Sequence, residues 1–264
     1  MEQTVSYGRS GAFLKHIAII TMIIDHIGYG IVERCFMFRG LSPAIDKLYM
    51  LLREIGRLAF PLFAFLIVEG AIHTSNRLRY FLSLVLFGII SEIPFNLFFS
   101  DTILYPKYQN VYITLALGLL GIYIYDLLKK AGLGMIFPIA FIGLLIAGFF
   151  LRADYGATGI ILIFLMYRLR AKPMTIMILG LLVMTFLNTT EGLLLDLIDK
   201  IPVIWTQYYI EYLPIEIPSL IAFMLIADYN GQRGRQIPKY LYYIIYPAHL
   251  LILWILGGWI GQPF

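Results

Sequence analysis

The chain has 264 residues, 60% of them apolar and 14% charged, with a mean hydropathy of +0.83. That balance leaves no stretch for a separate soluble domain and points to an all-α, polytopic membrane bundle, since lipid accepts only segments whose backbone groups bond internally. A single cysteine, Cys35, excludes an intrachain disulfide and a cysteine-based metal cluster, and the net charge of +4 reflects loop asymmetry and not a nucleic-acid surface.

In chain order, apolar runs long enough for helices fall at about 13–32, 55–73, 77–99, 110–128, 133–151, 156–170, 173–190, 211–228 and 239–260. They predict about nine spans in one integral-membrane domain covering 1–264, although eight or ten also fit the pattern. The first run is long and carries Asp25 and His26, so it reads as a retained helix and not a cleaved signal. Residues 191–210 read as an amphipathic helix lying at the interface. Cys35 falls between the first two runs, where passive packing is its expected role. No internal repeat stands out, which argues against a transporter built from inverted halves.

Lysine and arginine set the expected orientation. With alternating spans, twelve of the 20 basic residues fall on the side of the N-terminus: Arg9, Lys15, Arg77, Arg79, Lys129, Lys130, Arg168, Arg170, Lys172, Arg233, Arg235 and Lys239. The other side carries Lys107, Arg152 and Lys200, plus five in the 33–57 segment: Arg34, Arg39, Lys47, Arg53 and Arg57. The N-terminus is therefore expected in the cytoplasm, with the basic residues of 33–57 serving function instead of topology.

Ionisable residues inside a span cost roughly 3 kcal/mol or more in hydrocarbon, so they are expected to face a protein-lined, partly wet cavity. His26 lies roughly 20 Å along its helix from the cytoplasmic end, by rise per residue. Glu92 lies at a similar height and His249 somewhat nearer the middle, Arg57 and Asn110 begin spans from the outside, and Asp154-Tyr155 occupy an outer turn. Asp25 and His26 point about 100° apart on a helix, so Asp25 is expected to reach a partner on another helix, such as Arg57, with Thr21 beside it at i, i+4. On the last span Lys239, Tyr242, Tyr246 and His249 form one face, and Pro247 leaves the carbonyl of Tyr243 free, as Pro94 does that of Ile90. His16 and His73 read as interfacial, and with only His26, His249 and Glu92 at one depth no metal site is expected.

The inner side carries a different chemistry. Arg77 lies near the start of one span, and the turn Asn230-Gly231-Gln232-Arg233-Gly234-Arg235 runs toward Lys239. Glycines let its backbone curl, and arginines can fork onto phosphate oxygens, which suits a phosphorylated ligand from the cytosol or lipid headgroups equally well. A Walker-type Gly-Lys-Ser/Thr is missing from it.

Several motifs together resemble the TraX family. They are Ile23-Ile-Asp-His-Ile-Gly28, Gly56-Arg-Leu-Ala-Phe-Pro through Val68-Glu-Gly70, Ser91-Glu-Ile-Pro-Phe-Asn96, Ala153-Asp-Tyr-Gly156, Tyr229-Asn-Gly-Gln-Arg-Gly234 and Tyr246-Pro-Ala-His-Leu250. The family is named for a conjugation protein that acetylates the N-terminus of F-type pilin and is similar to membrane acyltransferases that use cytosolic acyl-CoA. The resemblance implies a multi-pass protein of the bacterial cytoplasmic membrane with acetyl-CoA or another acyl-CoA as co-substrate. Its acceptor would be a protein N-terminus, a glycan or a small molecule.

On that reading His26 is the general base, Asp25 orients it or stabilises imidazolium, and His249 is a second base or a donor to the thioester oxygen. Arg57, Glu69, Glu92, Asn110, Asp154 and Tyr155 shape the site or recognise the acceptor. Arg77, Asn230, Gly231, Arg233, Gly234, Arg235 and Lys239 hold CoA phosphates, and a pantetheine arm of about 15–20 Å threads between helices toward His26. The rival reading is a proton-coupled transporter or flippase that uses the same intramembrane Asp, Glu and His as a relay.

Overall fold

The structure, a computed structural model, describes residues 8–34, 42–235 and 238–260, with the side chain of Lys239 outside that set. Cys35 and Arg39 also lie outside the described residues. Every named element is helical. Helix α1 (Gly11–Ile27) starts at Ser10, whose hydroxyl accepts from the Phe13 N–H at 3.3 Å, and ends in a π-helical turn over Gly28–Val32. Helix α2 (Pro43–Gly56) begins with proline at its first position and abuts α3 (Ala59–His73) at Arg57-Leu58.

Helices α4 (Arg77–Ser100) and α5 (Val111–Lys130) are both capped by asparagine. Asn76 accepts from the Arg79 N–H at 2.8 Å, and Asn110 from the Tyr112 N–H at 3.1 Å. Then come α6 (Phe137–Phe150), α7 (Gly156–Leu169), α8 (Pro173–Leu182), α9 (Asn188–Ile198), α10 (Trp205–Glu216), α11 (Ser219–Ala227) and α12 (Lys239–Ile260). A π-helical turn at Val183–Leu187 joins α8 to α9 without a break.

Among the described residues, seven helical stretches are long and apolar enough to cross a membrane: Gly11–Val32, Pro43–His73, Arg77–Ser100, Val111–Lys130, Pro173–Ile198, Trp205–Ala227 and Tyr240–Ile260. Two more, Gly134–Phe150 and Gly156–Leu169, are apolar but shorter. Helix α7 is nevertheless central, with Ile160, Leu162, Ile163 and Met166 fully buried against α3, α5 and α6. Its 14 residues span about 21 Å against a hydrocarbon core of about 30 Å. The outward faces carry the apolar surface that lipid would cover, including Leu82, Leu86 and Ile89 on α4 and Ile139, Ile142 and Ile146 on α6.

Two boundaries differ from the sequence reading. The second apolar stretch begins at Pro43 and not near 55, because α2 packs along α1 and delivers Arg53 to it. Residues 191–198 do not form a separate interfacial helix. They continue the helix begun at Pro173, because the Glu191 carboxylate accepts from the Ala157 and Thr158 N–H groups at 2.8 and 2.7 Å and so caps α7.

Candidate active site

The chain alternates in direction, so polar groups collect at two ends of the bundle. At the end holding the C-terminus of α1, His26 Nδ1 lies 2.7 Å from His249 Nε2 on α12. His249 Nδ1 lies 2.9 Å from the Ile245 carbonyl, which can only accept, so that nitrogen carries the proton. In the neutral ring Nε2 of His249 is then the acceptor, and His26 Nδ1–H donates to it. This tautomer assignment follows from the hydrogen-bond network. It leaves the lone pair of His26 on Nε2, 4.0 Å from Asp25 Oδ2. A proton gained there would face a carboxylate.

The rings are held by packing. His26 meets Phe98 and Phe99 edge-on at 5.5 and 5.9 Å, with Tyr246 at 6.5 Å. The Tyr243 carbonyl freed by Pro247 accepts from the Tyr112 hydroxyl at 3.1 Å, which ties the kinked helix to α5. The His26 side chain keeps 12% of its surface exposed, so the base is reachable but not solvated.

Asp25 reaches another helix as expected, and finds two arginines. Arg53 donates to Oδ2 at 2.6 Å and Arg57 to Oδ1 at 3.4 Å. Thr21 does not join it: its hydroxyl bonds back to the Ile17 carbonyl at 2.9 Å, the usual choice of a threonine inside a helix. Gly56 makes the approach possible, since a Cβ there would stand 2.1 Å from Asp25 Oδ1. Arg57 continues to Glu216 at 3.1 Å, and Asn188 donates to the same carboxylate oxygen at 3.1 Å. The result is a chain of alternating charge from His26 to α10.

Beside it the turn before α7 adopts left-handed backbone at Arg152 (φ 53°) and Tyr155 (φ 61°). Asp154 accepts from the Tyr108 hydroxyl at 2.9 Å, and Tyr155 stacks on Phe60 with ring centres 3.8 Å apart. Arg152 forks onto Asp199 at 2.6 Å through both nitrogens, and those hydrogen bonds hold the Asp199 carboxyl below its ordinary range. Asn110 donates to Glu92 and to the Gly88 carbonyl, so these two link α4 to α5.

The opposite end is open. A cavity of about 640 Å³ lies among the starts of α1, α4 and α12, the end of α3 and the 229–233 turn. Lys15, Arg79 and Arg233 bring cationic side chains to it, and Glu69, His73, Asn76, Ser83 and Tyr229 are among its other polar groups. Glu69 accepts from the Tyr229 hydroxyl at 3.0 Å and lies 3.5 Å from His73 Nε2.

Three expected placements are corrected here. Glu69 belongs to this cavity and not to the histidine end, because it lies on the last turn of α3. Arg77 points away, bonded to Asp126 at 2.7 Å, and Arg79 takes the place facing the cavity. The expected passage to His26 is filled: the cavity lining ends at Leu66, Tyr80 and Tyr243, and Met22, Leu62 and Tyr246 beyond them are buried.

Of the 230–235 turn, Gly231 and Arg233 line the cavity, while Asn230 builds the turn by accepting from the Gln232 N–H at 3.0 Å and donating to the Gly8 carbonyl at 3.1 Å. Gly234 has φ 69° and lies against Ser10, where a Cβ would stand 2.5 Å from Oγ. Arg235 is exposed and outside the cavity lining, and the Lys239 side chain lies outside the described residues.

Arg53 was expected only as one of five basic residues with a functional role, without a place in the site, and Glu216 was not expected at all. Both carried a usable signal. Arg53 lies four residues before Arg57, one helical turn away, and Glu216 is a carboxylate flanked by Ile215 and Ile217 inside an apolar run.

A family profile described as TraX protein matches residues 10–257. The probable fimbrial assembly protein FimC, serogroup H1, of Dichelobacter nodosus is 29% identical over 253 residues, covering 91% of this chain and 92% of that protein. No solved structure matches the chain.

Proposed function

The chain belongs to the TraX family, and from that membership we propose a membrane-embedded acyltransferase of the bacterial cytoplasmic membrane. It takes acetyl or another acyl group from acyl-CoA held in the cationic cavity and passes it to an amine or hydroxyl acceptor at the histidine end. The cavity end faces the cytoplasm, in keeping with the lysines and arginines that flank it. The name of the Dichelobacter relative suggests an exported fimbrial subunit as one acceptor class.

The observation that carries the reading is the histidine pair, in which Nδ1–H of His26 is committed to His249. That leaves Nε2 as the general base. As the acceptor attacks the thioester carbonyl carbon, Nε2 takes the acceptor proton and the carbon–sulfur bond breaks. The proton then leaves with the CoA thiolate, so atoms and charge balance. Asp25, 4.0 Å away, stabilises the transient imidazolium, while Arg53 and Arg57 keep that carboxylate ionised and in place.

Lys15, Arg79 and Arg233 suit the 3′-phosphate and pyrophosphate of CoA. Donor entry requires the packing around Met22, Tyr243 and Tyr246 to part, a lid-like step that keeps water from the thioester until both substrates are present.

The test is incubation of membranes containing the protein with radiolabelled acetyl-CoA, followed by identification of what becomes labelled. Label on a specific acceptor with wild type and not with His26→Ala supports the proposal. No CoA-dependent label together with pH-gradient-driven uptake of a solute would replace it with the transport reading.

A further inference from the structure

Leu78, Leu82 and Leu86 follow one another at i, i+4 and i+8 on α4, and are 66%, 51% and 55% exposed, so they form one straight apolar stripe on the outer surface. With Asn76, Arg79 and Ser83 they line a groove of about 280 Å³. Those three polar residues also line the large cavity, so groove and cavity meet at Arg79.

The two arginines of this turn differ. Arg77 is bonded to Asp126 and lies over the Tyr123 ring. Among the described residues Arg79 makes no ion pair: its backbone N–H goes to Asn76, and its carbonyl accepts from Ser83. An exposed guanidinium at the end of a span, above a groove floored by leucines, is complementary to an anionic head joined to a hydrocarbon chain. A second protein chain would not need the charge, and a soluble phosphate would not need the leucines.

We propose that this groove binds an anionic phospholipid, with its phosphate on Arg79 and one acyl chain along Leu78, Leu82 and Leu86, at the side opening of the cavity. Arg79 is shared with the proposed donor site, whereas the leucines lie outside the cavity, and the lipid test needs no acyl-CoA.

The test is native mass spectrometry of the delipidated protein titrated with phosphatidylglycerol, with phosphatidylcholine, and with inorganic phosphate alone. Wild type should retain phosphatidylglycerol about fivefold better than phosphatidylcholine, the increment of one basic residue at an anionic surface. Arg79→Gln should erase that preference, Leu82→Trp should reduce retention of both lipids by filling the groove, and Arg77→Gln should leave the preference intact. Equal retention of the two lipids by wild type would overturn the proposal. So would a preference that survives Arg79→Gln, equal loss in Arg77→Gln, or phosphate adducts as abundant as lipid adducts.

Discussion

The two polar ends of this bundle are built on opposite plans. At the histidine end nearly every charge is matched inside the protein: Asp25 by two arginines, Arg57 by Glu216, Arg152 by Asp199. At the cavity end charged side chains from four segments surround about 640 Å³ of space. Fully paired groups are fixed in direction, as proton transfer requires. Groups arranged around space are arranged for a ligand. Under the proposed function chemistry belongs to one end and binding to the other, so substitutions at each end should fail differently.

The largest effect is expected at the histidine pair. His26→Ala should lower acyl transfer by about a hundredfold to ten-thousandfold, the range for a lost general base. His249→Ala should lose part of this by freeing the His26 ring, and His249→Gln, which keeps an acceptor, should recover some of it. Transfer rates under saturating acetyl-CoA decide the point.

Next comes stability at the same end. Arg57→Ala leaves Glu216 buried beside only Asn188 and should cost about 3 kcal/mol in unfolding free energy, as removal of one partner of a buried ion pair does. Gly56→Ala forces a methyl into Asp25 and should cost about 1–3 kcal/mol by overpacking. Gly258→Ala, inside α12 where a Cβ meets nothing within 4 Å, should not destabilise and should raise stability by up to about 1 kcal/mol in the same thermal-shift assay.

A smaller change is expected at the cavity. Arg233→Ala should weaken acetyl-CoA binding by about tenfold, the loss of one charge-assisted hydrogen bond. The smallest is at the rim. Asp199 has its pKa lowered by Arg152, so its contribution is present above the ordinary aspartate value and is lost as pH falls through the folded value. The difference in melting temperature between wild type and Asp199→Asn should therefore be visible at neutral pH and vanish in acid, and it should shrink with salt.

Much of this division was legible from residue order. That Asp25 reaches off its own helix followed from the 100° between neighbouring helical residues, with Arg57 one candidate partner, and the free Tyr243 carbonyl followed from Pro247. Depth counting put His249 somewhat nearer the middle than His26, close in level but not at hydrogen-bond distance. What could not be read were choices set by helix rotation. Arg77 and Arg79 point about 200° apart, so only one can face the cavity, and the sequence does not say which. Residues 191–198 looked interfacial because Glu191 answers to the orphan N–H groups of α7, a partner more than thirty positions away. The filled passage between the ends is a property of side-chain packing, to which spacing is blind.

The sharpest measurement runs acetyl-CoA titration and label transfer side by side on purified wild type, His26→Ala and Arg233→Ala. A division of labour between the ends predicts that His26→Ala binds acetyl-CoA as wild type does yet transfers nothing above background. It also predicts that Arg233→Ala, once saturated, transfers at the wild-type rate. Wild-type transfer by His26→Ala, or unchanged acetyl-CoA affinity in Arg233→Ala, would contradict it.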